Sequence, residues 1–270
     1  MIEYDISDFI FRKFVKLVYT KAGIHLTDSK KALLKSRTSK ILRERNIQNY
    51  KAYLSIIEND TSGKELRDFI NLISTNTTHF FREKKHFDFM KELAHGGLWR
   101  NARDIRIWCA ASSTGEEPYS IAMTMAELFD LNQTKVEIIA TDIDTNVLEK
   151  ARRGVFSLDN INISDTLLRK YFKKGKGKAA GFVKVRQELA QILNFKYLNL
   201  IEDYKLKGEF DIIFCRNVFI YFDNRTKENI VRRMLKFVKK GGYLFIGHSE
   251  SLNSLNHDYK YVMPATYQKI

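Results

Sequence analysis

Four stretches of this chain carry residue types at spacings that chemistry can use. The first is Ala110-Ala111-Ser112-Ser113-Thr114-Gly115-Glu116-Glu117-Pro118. It ends an apolar run (Ile105, Ile107, Cys109) and opens a helical pattern at Ile121, Ala122, Met125 and Leu128. A buried strand, a turn of small residues and a helix form the first βα unit of a nucleotide-type cofactor fold. The turn has a single glycine rather than G-x-G-x-x-G, and no G-K-[ST] follows it. Carboxylates at the helix mouth repel a pyrophosphate and welcome a cation such as an amino group or a sulfonium. That argues against NAD or ATP and toward S-adenosylmethionine. Glu116 and Glu117 are equally explained as first-turn residues facing the helix dipole. Thr114 is the expected N-cap, and Pro118 suits the first turn.

The second stretch is a strand over Val136–Thr141 that ends at Asp142-Ile143-Asp144. An acid at the end of the second strand can accept hydrogen bonds from ribose hydroxyls, while Asp144 is placed to cap the helix Asn146–Arg153. The third is Thr75-Asn76-Thr77-Thr78-His79-Phe80-Phe81-Arg82-Glu83, in which polar groups interleave with a Phe pair at a junction between domains. On spacing alone it reads as a polar cap with apolar residues behind it, although such junctions are frequent ligand sites. The fourth, Arg216-Asn217-Val218-Phe219-Ile220-Tyr221-Phe222, leaves the strand Phe210–Cys215.

The elements that must position these residues follow from periodicity. Residues 8–73 are helical throughout, with helices ended by Gly23, over Lys30–Arg45, and around 50–58 and 63–74. The second of these carries Lys30, Lys31, Lys35, Arg37, Lys40, Arg43 and Arg45 against one Glu44. A solvated face is the usual explanation for such a run, and the helix is also the best docking surface for an acidic partner. From about residue 97 strands and helices alternate as an open, mostly parallel sheet covered on both faces, with a helix from Thr226 to Lys239 stopped by Gly241-Gly242. The rhythm breaks at 155–200. There Phe182–Arg186 alternates at period two, and Ile192–Leu198 is expected to pair with it as a small antiparallel insertion. Ligands of such sheets bind outside the carboxyl ends of the strands, where Ala110–Glu117, Asp142, Asn199 and Arg216–Tyr221 all fall.

Composition narrows the partners. The net charge of +14 calls for an acidic partner or a Lys-rich surface style. No run of eighteen apolar residues is present, and Met1–Asp8 lacks the basic and apolar regions of a signal peptide. Cys109 and Cys215 read as reduced core thiols of a cytoplasmic protein. The six histidines show no ligand spacing with cysteines or carboxylates, so no metal is expected. His248-Ser249-Glu250 lacks a nucleophile elbow.

Taken together, the chain closely resembles the CheR-type chemotaxis receptor methyltransferases. The resemblance rests on Thr75-Asn76-x-Thr78-x-Phe80-Phe81-Arg82, Ser113-Thr114-Gly115-Glu116-Glu117-Pro118-Tyr119-Ser120 and Thr141-Asp142-Ile143-Asp144. It rests also on Phe214-Cys215-Arg216-Asn217-Val218-x-Ile220-Tyr221-Phe222 and Gly247-His248-Ser249-Glu250. In this order the motifs span nearly the whole chain. The resemblance implies an N-terminal all-helical receptor-docking domain over 1–75 and a linker over 76–96. It implies further a doubly wound methyltransferase domain over 97–270, with a β insertion at about 172–197.

By the same resemblance, S-adenosylmethionine is contacted by Asn76, Thr78, Arg82, Glu117, Asp142, Asn199, Leu200, Arg216 and Asn217, and Arg82 and Tyr221 lie beside the reacting methyl group. The products are a glutamyl methyl ester on a chemoreceptor cytoplasmic helix and S-adenosylhomocysteine, which serves sensory adaptation. The basic helix 30–45 is then expected to meet the acidic methylation helices. The β insertion resembles the longer form that, in some members, tethers a receptor C-terminal pentapeptide. A cytoplasmic monomer recruited to membrane receptors, without nucleic acid or membrane insertion, is the implied state. Two rivals share the cofactor domain. A nucleic-acid methyltransferase is expected to carry an Asn/Asp-Pro-Pro-Tyr/Phe-like clamp, which Arg216-Asn217-Val218-Phe219 is not; a non-catalytic sensor of S-adenosylhomocysteine would not need Arg82 and Tyr221.

Overall fold

The computed structural model describes residues 5–100, 102 and 104–270, so the expectation on Met1–Tyr4 lies outside the described residues. Helix α1 (Asp8–Ala22) starts where the Ser7 hydroxyl accepts from the Ile10 N–H, and it ends at Gly23 in the left-handed region. Its buried residues Phe11, Phe14, Val18 and Ala22 recur at helical spacing. Phe11, Phe14 and Val18 pack in one cluster with residues of α2 (Lys31–Glu44), α3 (Tyr50–Asn59) and α4 (Lys64–Ile73). At the centre, the ring of Phe14 lies 5.1 Å from Phe69 and 6.1 Å from Tyr53. The helical domain is thus built on an aromatic cluster of its own.

After α5 (Lys85–His95) come β1 (Asp104–Cys109), α6 (Glu116–Leu128), β2 (Lys135–Asp142) and α7 (Thr145–Arg153). The short β3 (Val155–Ser157), α8 (Asp165–Tyr171), β4 (Phe172–Lys174), β5 (Phe182–Val185) and α9 (Gln187–Ala190) follow. The chain closes with β6 (Leu193–Tyr197), β7 (Phe210–Phe214), α10 (Asn224–Leu235), β8 (Val238–Phe245), β9 (Tyr259–Met263) and β10 (Thr266–Lys269). Seven strands form one sheet in the order β6-β2-β1-β7-β8-β10-β9. Pairing is parallel from β6 through β8 and antiparallel beyond it. Separate apolar clusters cover its two faces: Ile107, Ile121 and Phe214 belong to one, Trp108, Ile213 and Ile230 to the other.

Three expectations are corrected. The segment Ile192–Leu198 does not pair with Phe182–Arg186; its strand β6 runs parallel to β2, with Ile138 opposite Leu193 and Asp142 opposite Tyr197. There it satisfies backbone groups along β2 that would otherwise form the sheet edge. The small antiparallel sheet is instead β3-β5-β4, with Val155 opposite Lys184 and Phe172 opposite Val185, so its strands come from 155–185 and not from 172–197. Gly241 and Gly242 do not stop the preceding helix; they lie inside β8, beside an irregularity in its pairing with β7. A Cβ on Gly242 would sit 2.8 Å from the Asp211 carbonyl oxygen. Finally, α6 is capped by Gly115 and not by Thr114, whose hydroxyl donates to the Glu116 carboxylate at 2.6 Å.

Among the described residues, no helix is long and apolar enough to cross a membrane. Cys109 and Cys215 are both buried and unpaired, and burial pushes both thiols up from their ordinary range.

Candidate active site

At the carboxyl end of β1 the chain turns sharply. Ser113 has φ 47° and Gly115 has φ 105°. A Cβ on Gly115 would lie 3.1 Å from the Ala151 Cβ and 3.2 Å from the Tyr119 ring, so the lone glycine of the turn is required by α7 packed behind it. The Ser113 N–H donates to one Asp142 oxygen at 2.8 Å, and the Asp144 N–H donates to the other at 2.9 Å. Two backbone donors therefore fix the carboxylate at the end of β2. Burial nevertheless pushes its pKa up to about 6, opposed by those hydrogen bonds. Asp144 caps α7 as expected, accepting from the Asn146 and Val147 N–H groups. Its second oxygen takes the Asn76 side-chain amide at 2.8 Å, while the Ser113 hydroxyl donates to the Asn76 carbonyl at 2.9 Å. The linker is thereby stitched to both strand ends.

Opposite lies a buried charge network. Arg216, at the end of β7, donates through Nη1 to Glu117 at 2.7 Å and through Nη2 to Glu83 at 2.9 Å. It reaches the Arg82 carbonyl as well. Glu117 also accepts from the Cys109 thiol at 3.2 Å. Burial raises the Glu117 pKa against the opposing Arg216 charge. Burial pushes Glu83 upward too, but the Arg216 guanidinium and the hydrogen bonds from Asn217 and Arg216 outweigh it, and its carboxyl sits at about 2. Glu83 (φ 56°) precedes α5, so its side chain turns back to β7 and receives the Asn217 amide at 3.0 Å.

A cavity of about 270 Å³ lies between these two ends. Every residue expected at the site lines it. Asn76, Thr78 and Arg82 come from the linker, Glu117 and Asp142 from the first two βα units, and Asn199 and Leu200 from the segment after β6. Arg216, Asn217 and Tyr221 come from the turn after β7. Not all of their side chains point freely at a ligand. The Asn199 amide donates to the Lys21 carbonyl at 2.8 Å and to Glu202 at 3.0 Å, so it ties the sheet to α1. Arg82 donates to the Thr77 carbonyl at 3.0 Å, and the Tyr221 hydroxyl lies 3.5 Å from the Thr75 carbonyl.

Sequence reasoning missed one wall and one grouping. The helical domain supplies His25, Leu26, Lys30 and Leu33 to the cavity, and the His25 N–H donates to the Tyr221 carbonyl at 2.8 Å. The only signal was Gly23. A Cβ there would lie 2.5 Å from an Ile201 methyl, so the helix end and the sheet domain meet at closest approach. The expectation of no histidine grouped with a carboxylate is also corrected. Among the described residues, Glu83, His86 and His248 bring potential ligand atoms within 4.8 Å of one another. The Glu83 oxygen concerned already holds the Arg216 guanidinium, a cation where a metal would sit.

Chemically, Asp142 suits paired hydroxyls, Glu117 an ammonium, and the flanking Ile143, Leu198 and Leu200 a flat apolar ring. That donor set fits S-adenosylmethionine, whose sulfonium and amino group both favour acidic surroundings.

Comparison with known proteins agrees. Residues 76–268 match the family model described as CheR methyltransferase, SAM binding domain, and residues 10–74 match CheR methyltransferase, all-alpha domain. The chain is 43% identical over 256 residues to a chemotaxis protein methyltransferase of Salmonella typhimurium, covering 94% of this chain and 88% of the relative. It is 42% identical over 252 residues to that of Escherichia coli, covering 93% and 87%. To that of Borreliella burgdorferi it is 40% identical over 266 residues, covering 95% and 93%. With both its helical domain and its sheet domain matched, the chain belongs to the CheR methyltransferase family and is an S-adenosylmethionine-dependent chemotaxis methyltransferase.

Proposed function

We propose that this enzyme methylates glutamate side chains on the cytoplasmic helices of chemoreceptors, forming glutamyl methyl esters for sensory adaptation. S-adenosylmethionine, when bound, supplies an electrophilic methyl group on a sulfonium. Asp142, Asn76, Thr78, Asn199, Leu200, Arg216, Asn217 and Glu117 are the residues that hold it.

The observation that carries the substrate reading is the state of the two cavity arginines. The charge of Arg216 is matched by Glu83 and Glu117, whereas Arg82, which lines the cavity, donates to a neutral carbonyl and has no ion-pair partner among the described residues. An anionic substrate group fits beside it. A glutamate carboxylate, with a pKa of about 4.3, is ionised at neutral pH and needs no base to become a nucleophile. Arg82 then holds the carboxylate and Tyr221 orients it. Placement of this kind contributes roughly 7–11 kcal/mol to such reactions.

Receptor docking is assigned to the basic helix 30–45, through Lys30, Lys40 and Arg43 in particular. Arg37 is occupied elsewhere, donating to the Leu72, Ile73 and Ser74 carbonyls that end α4. Lys31 and Arg45 are paired with Asp8 and Glu65, while Lys40 lies 3.6 Å from Glu44 in a pair that is open to solvent on both sides. A receptor C-terminal peptide fits the small sheet, whose outer strands β3 and β4 each offer an edge for strand addition. The working state is a cytoplasmic monomer recruited to membrane receptors.

Incubating the protein with methyl-labelled S-adenosylmethionine and receptor-containing membranes tests the reading. Label released as methanol by mild base supports glutamyl esters. Base-stable label, label on added nucleic acid, or cofactor binding without transfer overturns it.

A further inference from the structure

Glu250 follows β8 in the run Gly247-His248-Ser249-Glu250 and does not line the cavity. Its carboxylate nevertheless reaches both ends of the turn that carries the site. One oxygen accepts the Gly247 N–H at 2.6 Å and the Asn217 N–H at 3.0 Å; the other accepts the Ile220 N–H at 3.3 Å. Asn217 has φ 56°, in the left-handed region that asparagine adopts more readily than other side-chain-bearing residues. Gly247 is part of the same fit. A Cβ there would lie 2.4 Å from the Asn217 side-chain nitrogen and 2.9 Å from the Glu250 oxygen.

The two ends of this turn are not equally secured. The Arg216 and Asn217 side chains are also gripped by Glu83 from the opposite side. The short helical turn Phe219–Tyr221 has no such ion pair among the described residues; it is held by burial of Phe219, its own backbone bonds to Val218 and Phe219, the His25 contact to the Tyr221 carbonyl, the Tyr221 hydroxyl 3.5 Å from the Thr75 carbonyl, and the Glu250 bond to Ile220. Ile220 itself is exposed. Loss of the Glu250 carboxylate therefore falls on Tyr221 more than on the groups that hold the cofactor.

We propose that Glu250 is a positioning residue for methyl transfer, holding the 217–221 turn so that Tyr221 faces the transferred methyl group; the proposal rests on the reading of Tyr221 given above. Glu250→Gln keeps size and fold but sets an amide donor against backbone N–H donors. Glu250→Asp shortens the reach by one methylene.

The test uses the full chain. It measures S-adenosylmethionine affinity by calorimetry, kcat on receptor membranes, and hydrogen exchange over residues 217–221. In Glu250→Gln, kcat is expected to fall roughly 10- to 100-fold, as misplacement of a reacting group does. Cofactor Kd is expected to stay within about threefold, since its ligands keep their second anchor. Exchange over the turn accelerates, and Glu250→Asp recovers part of the loss. In a Tyr221→Phe background the same change is expected to cost less than about threefold, because both act through one group. Losses that multiply in the double variant overturn the proposal, as does unchanged kcat or exchange in Glu250→Gln. A Tyr221→Phe enzyme with normal turnover overturns it together with the underlying reading, and faster exchange in Glu250→Gln then separates the two failures.

Discussion

Arg216 and Glu83 meet at 2.9 Å across the junction between the linker and the end of β7, with the arginine side chain 1% exposed and the glutamate 13%. Removing one partner from such a buried pair leaves an uncompensated charge. Glu83→Gln is expected to cost on the order of 3 kcal/mol of stability by denaturant titration. Because the Glu83 pKa is depressed to about 2, its contribution is complete above the ordinary carboxylate range and is lost as pH falls toward that value. A Glu83→Gln protein as stable as the wild type at neutral pH would show that Glu117 alone satisfies Arg216.

Asp142 behaves in the opposite sense. With its pKa raised to about 6, it stabilises the free protein below the ordinary carboxylate range, and that stabilisation is lost as pH rises through about 6. Cofactor binding follows the ionised form, since ribose hydroxyls donate to it. S-adenosylmethionine affinity is expected to fall as pH drops below about 6. Asp142→Asn should bind weakly with a flat profile across that range. A wild-type profile equally flat would remove Asp142 from the binding step.

The basic helix divides into structural and docking charges. Arg37→Ala, which strips three backbone acceptors at the end of α4, is expected to lower stability by roughly 2 kcal/mol. The pair Lys40→Glu and Arg43→Glu should leave stability and cofactor binding intact, and reduce kcat/KM for receptor methylation roughly tenfold at low salt. Added salt should narrow that gap. Equal kcat/KM for both proteins at every salt concentration would move receptor docking to another surface.

Arg82→Ala is expected to lower kcat roughly 100-fold, the scale on which preorganised charge acts in catalysis. Arg82→Lys restores charge without the planar fork and should recover only part of it. Turnover measured on saturating receptor membranes decides the matter, and normal kcat in Arg82→Ala would take the substrate carboxylate away from this residue.

The methyltransferase half was legible where local pattern and local structure coincide. Ile105, Ile107 and Cys109 announce a strand, Gly115 a turn, and Ile121, Ala122 and Met125 the helix behind it. Asp142 follows at the distance one helix and one strand require. The motif positions around Asn199 and Arg216 converge on the cavity because parallel strands bring their carboxyl ends to one rim, and the linker that carries Arg82 is tied to that rim through Asn76. What stayed hidden depends on partners distant in sequence. Leu193–Tyr197 has the same alternation whether it extends the main sheet or a small one, and only the open edge of β2 decides. Val155–Ser157 is too short to show a period at all. Gly241 and Gly242 read as helix stops, but they lie in a strand that pairs with β7, where the Asp211 carbonyl leaves no room for a side chain at Gly242. The grouping of Glu83 and His86 with His248 joins segments far apart in the chain.

Gly23 and His25 place the end of α1 against the same turn that carries Tyr221, without room for a side chain at the point of contact. The helical domain is therefore a wall of the cavity rather than a detachable handle. Grafting the helical domain of another family member onto this sheet domain would change the shape of the cavity as well. A chimera would have to import Ile201, Phe222 and the residues around them to keep the joint closed.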